Sequence, residues 1–208
     1  MTYSIVARCR RTGQLGVSSA TFSLACGARN ESARPGIGVS KSQAYPKRIN
    51  DLIALHLMEQ GMAPAGIMDV LAENDPDFAY RQIGMIDARG RIGMHTGPKS
   101  RPWAGHSIGE HCVAFGNILS GEAVPAAIRA GFERDEEKTL AERLVAALEG
   151  GRDAGGQANG KGGTLIERSA WVRVIDEDAV PLVDLRVDRS RTAIAELRRI
   201  FTEFSREP

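Results

Sequence analysis

The order in which hydrophobic period changes along this chain is the strongest constraint on its fold. The first stretch has strand character: Tyr3 to Arg8, then Leu15 to Ala20 after the turn signal Thr12-Gly13-Gln14, then about Ala25 to Asn30, then Ile37 to Ser42 after Pro35-Gly36. A helical period follows. Ile49, Leu52, Ile53, Leu57 and Met58 mark one face of a helix over about 47–60, with Gly61 at its C-cap position, and a second helix over about 64–73 stops before Asp75-Pro76. Strands return over about 80–86 and 91–96, joined by the turn Asp87-Ala88-Arg89-Gly90, and over 112–119. Val124, Ala127, Ile128, Gly131 and Phe132 line a third helix, and Leu140, Leu144, Val145 and Leu148 a fourth. After the glycine-rich run Gly150 to Gly163, a strand pair over about 164–175 and 180–187 precedes a last helix lined by Ile194, Leu197, Ile200, Phe201 and Phe204.

This order is strands, helix pair, strands, helix pair, strands, helix. A parallel sheet would need strict strand–helix alternation, so the chain reads as α+β with mostly antiparallel sheets. Helix pairs set between hairpins predict two sheets held between helical layers. The 208 residues show no internal repeat and no dividing linker, so a single domain over 1–208 is expected, large enough for a substantial core. The many glycines and serines in the early strands suit sheets whose backbones approach closely.

Charge excludes whole classes of partner. A formal net charge of +1, with Lys and Arg scattered, offers no field for nucleic acid or a membrane surface. The three cysteines, Cys9, Cys26 and Cys112, form neither a disulfide framework nor a metal knuckle and fit a reducing compartment. No basic and apolar leader opens the chain and no run nears the roughly 20 apolar residues of a membrane span. A cytoplasmic location is therefore expected.

Several short blocks carry a resemblance. They are Thr2-Tyr3-Ser4-Ile5-Val6-Ala7-Arg8, His95-Thr96-Gly97, Trp103-Ala104-Gly105-His106, Gly116-Asn117-Ile118-Leu119-Ser120-Gly121, Leu140-Ala141-Glu142-Arg143-Leu144 and Asp184-Leu185-Arg186-Val187-Asp188. In this order, over nearly the whole chain, they resemble the bacterial domain-of-unknown-function family 1028 (DUF1028). That family is grouped with the N-terminal nucleophile (Ntn) hydrolases, so the resemblance implies a four-layer αββα sandwich. It also implies a role for Thr2. In Ntn hydrolases the first residue of the mature chain attacks a carbonyl while its own α-amine accepts the proton. A Met followed by a small residue such as Thr is normally trimmed, which would expose Thr2. Lys41, on the strand after Pro35-Gly36, stands where a proteasome-like enzyme places a lysine and is a candidate electrostatic helper, with an exposed edge-strand charge as its alternative since the resembled family more often has a small residue there; Asn117, after Gly116 at a strand end, is a candidate oxyanion donor, with a turn-stabilising role as its alternative. Ser4, His95, His106, Gln157 and Asn159 are the expected substrate-contacting groups.

The chain departs from the family pattern at Cys9, where an acid is usual, and at Gln157 and Asn159, where an acid and an arginine are usual. Two readings stay open. One is an Ntn-type hydrolase of a small-molecule amide; the other is a catalytically degenerate relative that binds a small ligand or serves as an assembly module. Neither requires a cofactor. Gly155 to Lys161 imitates a phosphate loop, but Gly162 stands where Ser or Thr should hold Mg²⁺, and the helix precedes the loop instead of following it. His106, Glu110 and His111, with His95 upstream, lack the spacing of a zinc site, and no metal is expected. The numerous apolar helix faces favour a homo-oligomer, with a dimer the simplest case.

Overall fold

The computed structural model describes residues 1–28, 33–178 and 180–207. In chain order the elements are β1 (Thr2–Arg8), β2 (Leu15–Thr21), β3 (Ala33–Arg34), β4 (Gly38–Ala44), α1 (Arg48–Glu59), α2 (Pro64–Asn74), a 3-10 turn (Phe78–Tyr80), β5 (Arg81–Asp87), β6 (Ile92–Thr96), β7 (Ala104–Ile108) and β8 (Cys112–Asn117). They continue with α3 (Ala123–Glu133), α4 (Leu140–Asp153), β9 (Gln157–Ala158), β10 (Thr164–Leu165), β11 (Ser169–Ile175), β12 (Val183–Val187) and α5 (Ala193–Phe204). Among the described residues the strands form a six-stranded sheet, β12-β11-β2-β1-β8-β7, a four-stranded sheet, β3-β4-β5-β6, and a β9-β10 ribbon. Every pairing is antiparallel.

Three apolar clusters separate four layers. Val6, Val17, Val39, Ile86, Phe115 and Trp171 pack between the two sheets. Ile5, Ala7 and Val172, on the other face of the large sheet, meet Ile128 and Phe132 of α3, Leu144 and Leu148 of α4 and Leu197 of α5. Ile83 and Met85, on the outer face of the small sheet, meet Ala54 and Met58 of α1 and Ile67 and Leu71 of α2. The layer order is αββα, as the resemblance implied. Because successive side chains point to opposite faces, strands inside such a sandwich are apolar on both sides, which is why Ile5-Val6-Ala7 shows no polar alternation. No helix among the described residues is long and apolar enough to cross a membrane.

Local chemistry sets the boundaries. Thr139 caps α4, its hydroxyl accepting from the Glu142 amide at 3.2 Å. Pro64 opens α2 at a position where its missing N–H costs nothing. Asp87 closes the β5–β6 turn by accepting from the amides of Arg89 (2.9 Å) and Arg91 (2.8 Å), with Gly90 at φ +82°.

Four expectations change. The strand expected over Ala25 to Asn30 is turn through Ala28, and its remainder lies outside the described residues. β7 was not foreseen. The expected strand 164–175 is two strands, β10 and β11, and the glycine-rich run is partly the end of α4 and partly the β9–β10 ribbon. The α1 stripe is also rotated: Ile49 and Leu52 are 48% and 39% exposed, while Asn50, Ala54, Leu55 and Met58 are buried. Polar partners turn this helix. Asn50 donates to Asp75 at 2.8 Å, and Asp51 accepts from Ser40 at 2.8 Å, so two polar side chains face inward where the apolar period pointed elsewhere.

Candidate functional site

The space between the sheets changes character along its length. Inward-facing positions run from apolar to polar on five of the strands that cross it: Val6, Ser4, Thr2 on β1; Val17, Ser19, Thr21 on β2; Val39, Lys41, Gln43 on β4; Phe115, Asn117 on β8; and Ile86, Gly84, Gln82 on β5. The polar end is hydrogen-bonded across the sheets. Ser4 Oγ donates to Gln43 Oε1 at 2.6 Å and lies 2.6 Å from Ser19 Oγ. Gln43 Nε2 donates to Gln82 Oε1 at 2.9 Å, and Asn117 Nδ2 donates to the same oxygen at 3.2 Å. Gln82 Nε2 donates to the carbonyl of Gly116 at 2.9 Å. A polar core of this kind is tolerated only because its groups are paired.

This polar end opens onto a cleft of about 440 Å³ bounded by β1, β2, β4, the segment after β2 and the first turn of α1. Thr2 and Lys41 both line it, together with Thr21, Ser42, Gln43 and Asp51. Thr2 Oγ1 donates to Thr21 Oγ1 at 3.1 Å, and Thr21 Oγ1 donates to the Met1 carbonyl at 2.6 Å. Lys41 is buried, its ammonium 5.9 Å from the centre of the Trp171 ring. Burial pulls its proton affinity below the ordinary lysine value, and the nearby carboxylate of Asp51 pulls it back. Asp51 is the mirror case, raised by burial and lowered by Lys41. Cys26 also lines the cleft, but burial pushes its thiol up to about 11, which leaves it protonated and unreactive at neutral pH. Ser42 Oγ is buried on the cleft wall with no partner.

A second cavity of about 230 Å³ adjoins the first, lined by Met1, Ala44, Tyr45, Arg101, Asn117 and Ile118. Met1 and Ala44 line both, so the terminal residue stands between two hollows. Ala25, Ala44 and Ile118 have left-handed backbone, at φ +53°, +72° and +53°, and are the non-glycine residues to do so among those described. Each borders one of these cavities. That conformation costs roughly 1–2 kcal/mol per residue, and such strain gathers where the surrounding structure enforces a working geometry.

The DUF1028 family model, a family of unknown function, matches residues 2–197. The chain belongs to the DUF1028 family. Its fold is similar to that of protein SPO2555 from Silicibacter pomeroyi, itself assigned to DUF1028, at 27% identity over 99% of this chain and 87% of that one, with a TM-score of 0.88. Looser matches are Anbu (ancestral beta-subunit) from Yersinia bercovieri, at 12% identity, 99% and 98% coverage and TM-score 0.42, and Anbu from Hyphomicrobium sp. strain MC1, at 11%, 99% and 98% and 0.45. Superpositions that loose carry no argument about a site. No curated protein matches the chain.

In this DUF1028 member the candidate residues fall into four groups. Thr2 and Lys41 share the main cleft. Asn117 pairs with Thr2 in the β1–β8 register and lines the adjoining cavity. Ser4 lies fully buried behind Thr2, where it ties β1 to β4 instead of meeting solvent. The rest line neither cavity. His95 stacks on Phe78 and its Nε2 lies 3.0 Å from the Phe78 carbonyl; His106 Nδ1 lies 3.3 Å from Thr96 Oγ1. Gln157 accepts from the Phe22 amide at 2.9 Å, and Asn159 shapes its own turn by accepting from the amides of Lys161 (2.7 Å) and Gly163 (3.0 Å). Asp51, Ser42, Gln43 and Arg101 were not foreseen. They come from β4, α1 and the segment between β6 and β7, and no local spacing marks any of them. Among the described residues no three of His, Cys, Asp or Glu are grouped as metal ligands.

Proposed function

We propose that the chain is an amide hydrolase of the Ntn type that cleaves a C–N bond in a small molecule. Removal of Met1 frees the Thr2 amine, which takes the proton from Thr2 Oγ1 as that oxygen attacks the substrate carbonyl. The amine then returns the proton to the departing nitrogen, leaving an ester on Thr2. Water, deprotonated by the same amine, hydrolyses the ester and restores the hydroxyl. Lys41 supplies positive charge that lowers the proton affinity of the amine and hydroxyl and offsets the negative charge of the tetrahedral intermediate. Asn117 retains one amide N–H beyond its bond to Gln82, and that N–H is the proposed oxyanion donor.

One observation carries this reading: Thr2 and Lys41, 39 positions apart in the numbering, line a single cleft at the polar mouth of the inter-sheet space. The test is direct. Intact-mass measurement on protein from its native host should find Met1 absent, and that protein should release amine from a panel of small amides, while Thr2→Ala should not. Turnover undiminished in Thr2→Ala ends the proposal. The alternative, a non-catalytic binder, draws support from the way Met1 is built in, with its carbonyl held by Thr21. A fully retained Met1 favours that alternative.

A further inference from the structure

The smaller cavity is distinguished by its charge. Its lining includes Arg101 and the Met1 amine but no carboxylate. None of the ion pairs among the described residues involves Arg101. While Met1 is present its amine and Arg101 repel, and Arg101 contributes, after burial, to holding that amine below its ordinary value; once Met1 is removed, as the hydrolase reading requires, Arg101 is the cation that remains in the lining. Several guanidinium groups here do have a carboxylate partner: Arg81 with Asp75, Arg91 with Asp87, Arg173 with Asp184 and Arg198 with Glu149. Arg101 is instead fixed by neutral contacts. Its Nη2 donates to Tyr45 Oη at 3.1 Å, its guanidinium carbon lies 5.8 Å from the Tyr45 ring centre, and its carbonyl accepts from the Ile118 amide at 3.2 Å. A guanidinium held beside an aromatic wall, in a hollow with uncompensated positive charge, is suited to a planar anion that can accept two parallel hydrogen bonds.

We infer that the cavity between Tyr45, Arg101, Asn117 and Ile118 binds the carboxylate of an anionic ligand, making this protein selective for small amides that carry a free carboxylate. The inference deepens the hydrolase reading and rests on it for the word amide. The carboxylate site itself stands on the cavity alone. Asn117 is directly opposite Thr2 in the neighbouring strand, so a carboxylate on Arg101 leaves the remainder of the ligand beside Thr2. The main cleft on the other side of Met1, with Lys41, Asp51 and its hydroxyl groups, would take the rest of the molecule.

The test uses protein shown by intact mass to lack Met1 and two matched probes, N-acetylglycine and N-acetylglycinamide, at low salt because an exposed charge pair is screened. Binding is followed by NMR titration and amine release in the same samples. The carboxylate probe should bind about tenfold more tightly than the amide, the expected size for one charge-assisted contact. Arg101→Gln should abolish that preference and Arg101→Lys should keep part of it. Arg101 is exposed, so neither change threatens folding. Equal binding of the two probes by the unaltered protein, or a preference that survives Arg101→Gln, overturns the carboxylate site. A preference lost in Arg101→Gln with no Thr2-dependent turnover of any amide keeps the site and removes the hydrolase reading. Thr2-dependent turnover that ignores the carboxylate does the reverse.

Discussion

Asp75 and Arg81 are joined by two hydrogen bonds, Nε to Oδ2 at 2.9 Å and Nη2 to Oδ1 at 3.2 Å, and both side chains are buried. Around that pair, Asn50 of α1 donates to Asp75, Lys47 approaches it at 3.4 Å, and Arg81 Nη1 donates to the Tyr45 carbonyl at 2.6 Å. One carboxylate thus ties both helices of the outer layer to β5, and through Arg81 to the segment that walls the smaller cavity. Asp75→Ala would take away the buried carboxylate of Arg81 and leave it only the longer 3.4 Å contact with the exposed Asp77, and should cost about 3–5 kcal/mol in denaturant unfolding. The Arg81 hydrogen bonds hold the Asp75 carboxyl well below the usual carboxylate range. A depressed folded value means that the stabilisation is complete above the unfolded value near about 3.9 and fades as pH falls below it. Unfolding curves at successive pH values should show this loss in the unaltered protein and not in Asp75→Asn.

Thr2→Ala should lower turnover of a responsive amide by about 10³-fold or more while leaving the fold intact, since the side chain is half-buried at a strand start. If the base is the Thr2 amine, activity must rise with pH as that amine loses its proton. An unperturbed α-amine titrates near about 7.7–8.0. Burial and the positive charge of Lys41 both favour the neutral form, so the midpoint of the acid limb should fall below that range. A pH profile of kcat/KM on Met1-free protein measures it.

Lys41→Met keeps the length of the side chain and removes its charge. It should lower kcat by about 10²-fold and move the acid limb to higher pH, because the amine loses a neighbour that favoured deprotonation. An unmoved limb would assign Lys41 to a structural role beside Trp171 and Asp51.

Gly84 lies on β5 directly under Phe115, and a Cβ at this position would overlap the Phe115 ring. The sheets can approach here only because Gly84 has no side chain. Gly84→Ala should therefore destabilise the protein by about 1–3 kcal/mol, read as a lower midpoint in thermal unfolding.

The amphipathic helices α3, α4 and α5 could be read from sequence because each buries one stripe against one sheet, and a stripe of period 3.6 survives in the residue order. The order of strands and helix pairs likewise implied two sheets inside two helical layers. The resemblance drew attention to Thr2 and Lys41. The sequence carried no sign of β7, where Ala104-Gly105-His106-Ser107-Ile108 offers little strand propensity and His106 and Ile108 face outward. It misplaced the face of α1, because Asn50 and Asp51 turn inward to partners at Asp75 and Ser40 that no periodicity records. It set His95, His106, Gln157 and Asn159 among the site residues; they line neither of the two cavities and are hydrogen-bonded to neighbouring strands and turns. What local order fixes is the pattern of apolar burial, since that depends on neighbours three or four residues away. The cleft is another matter. Thr2, Lys41 and Asp51 meet only when two sheets stack, and the polar end of the space between them exists only through hydrogen bonds linking residues dozens of positions apart.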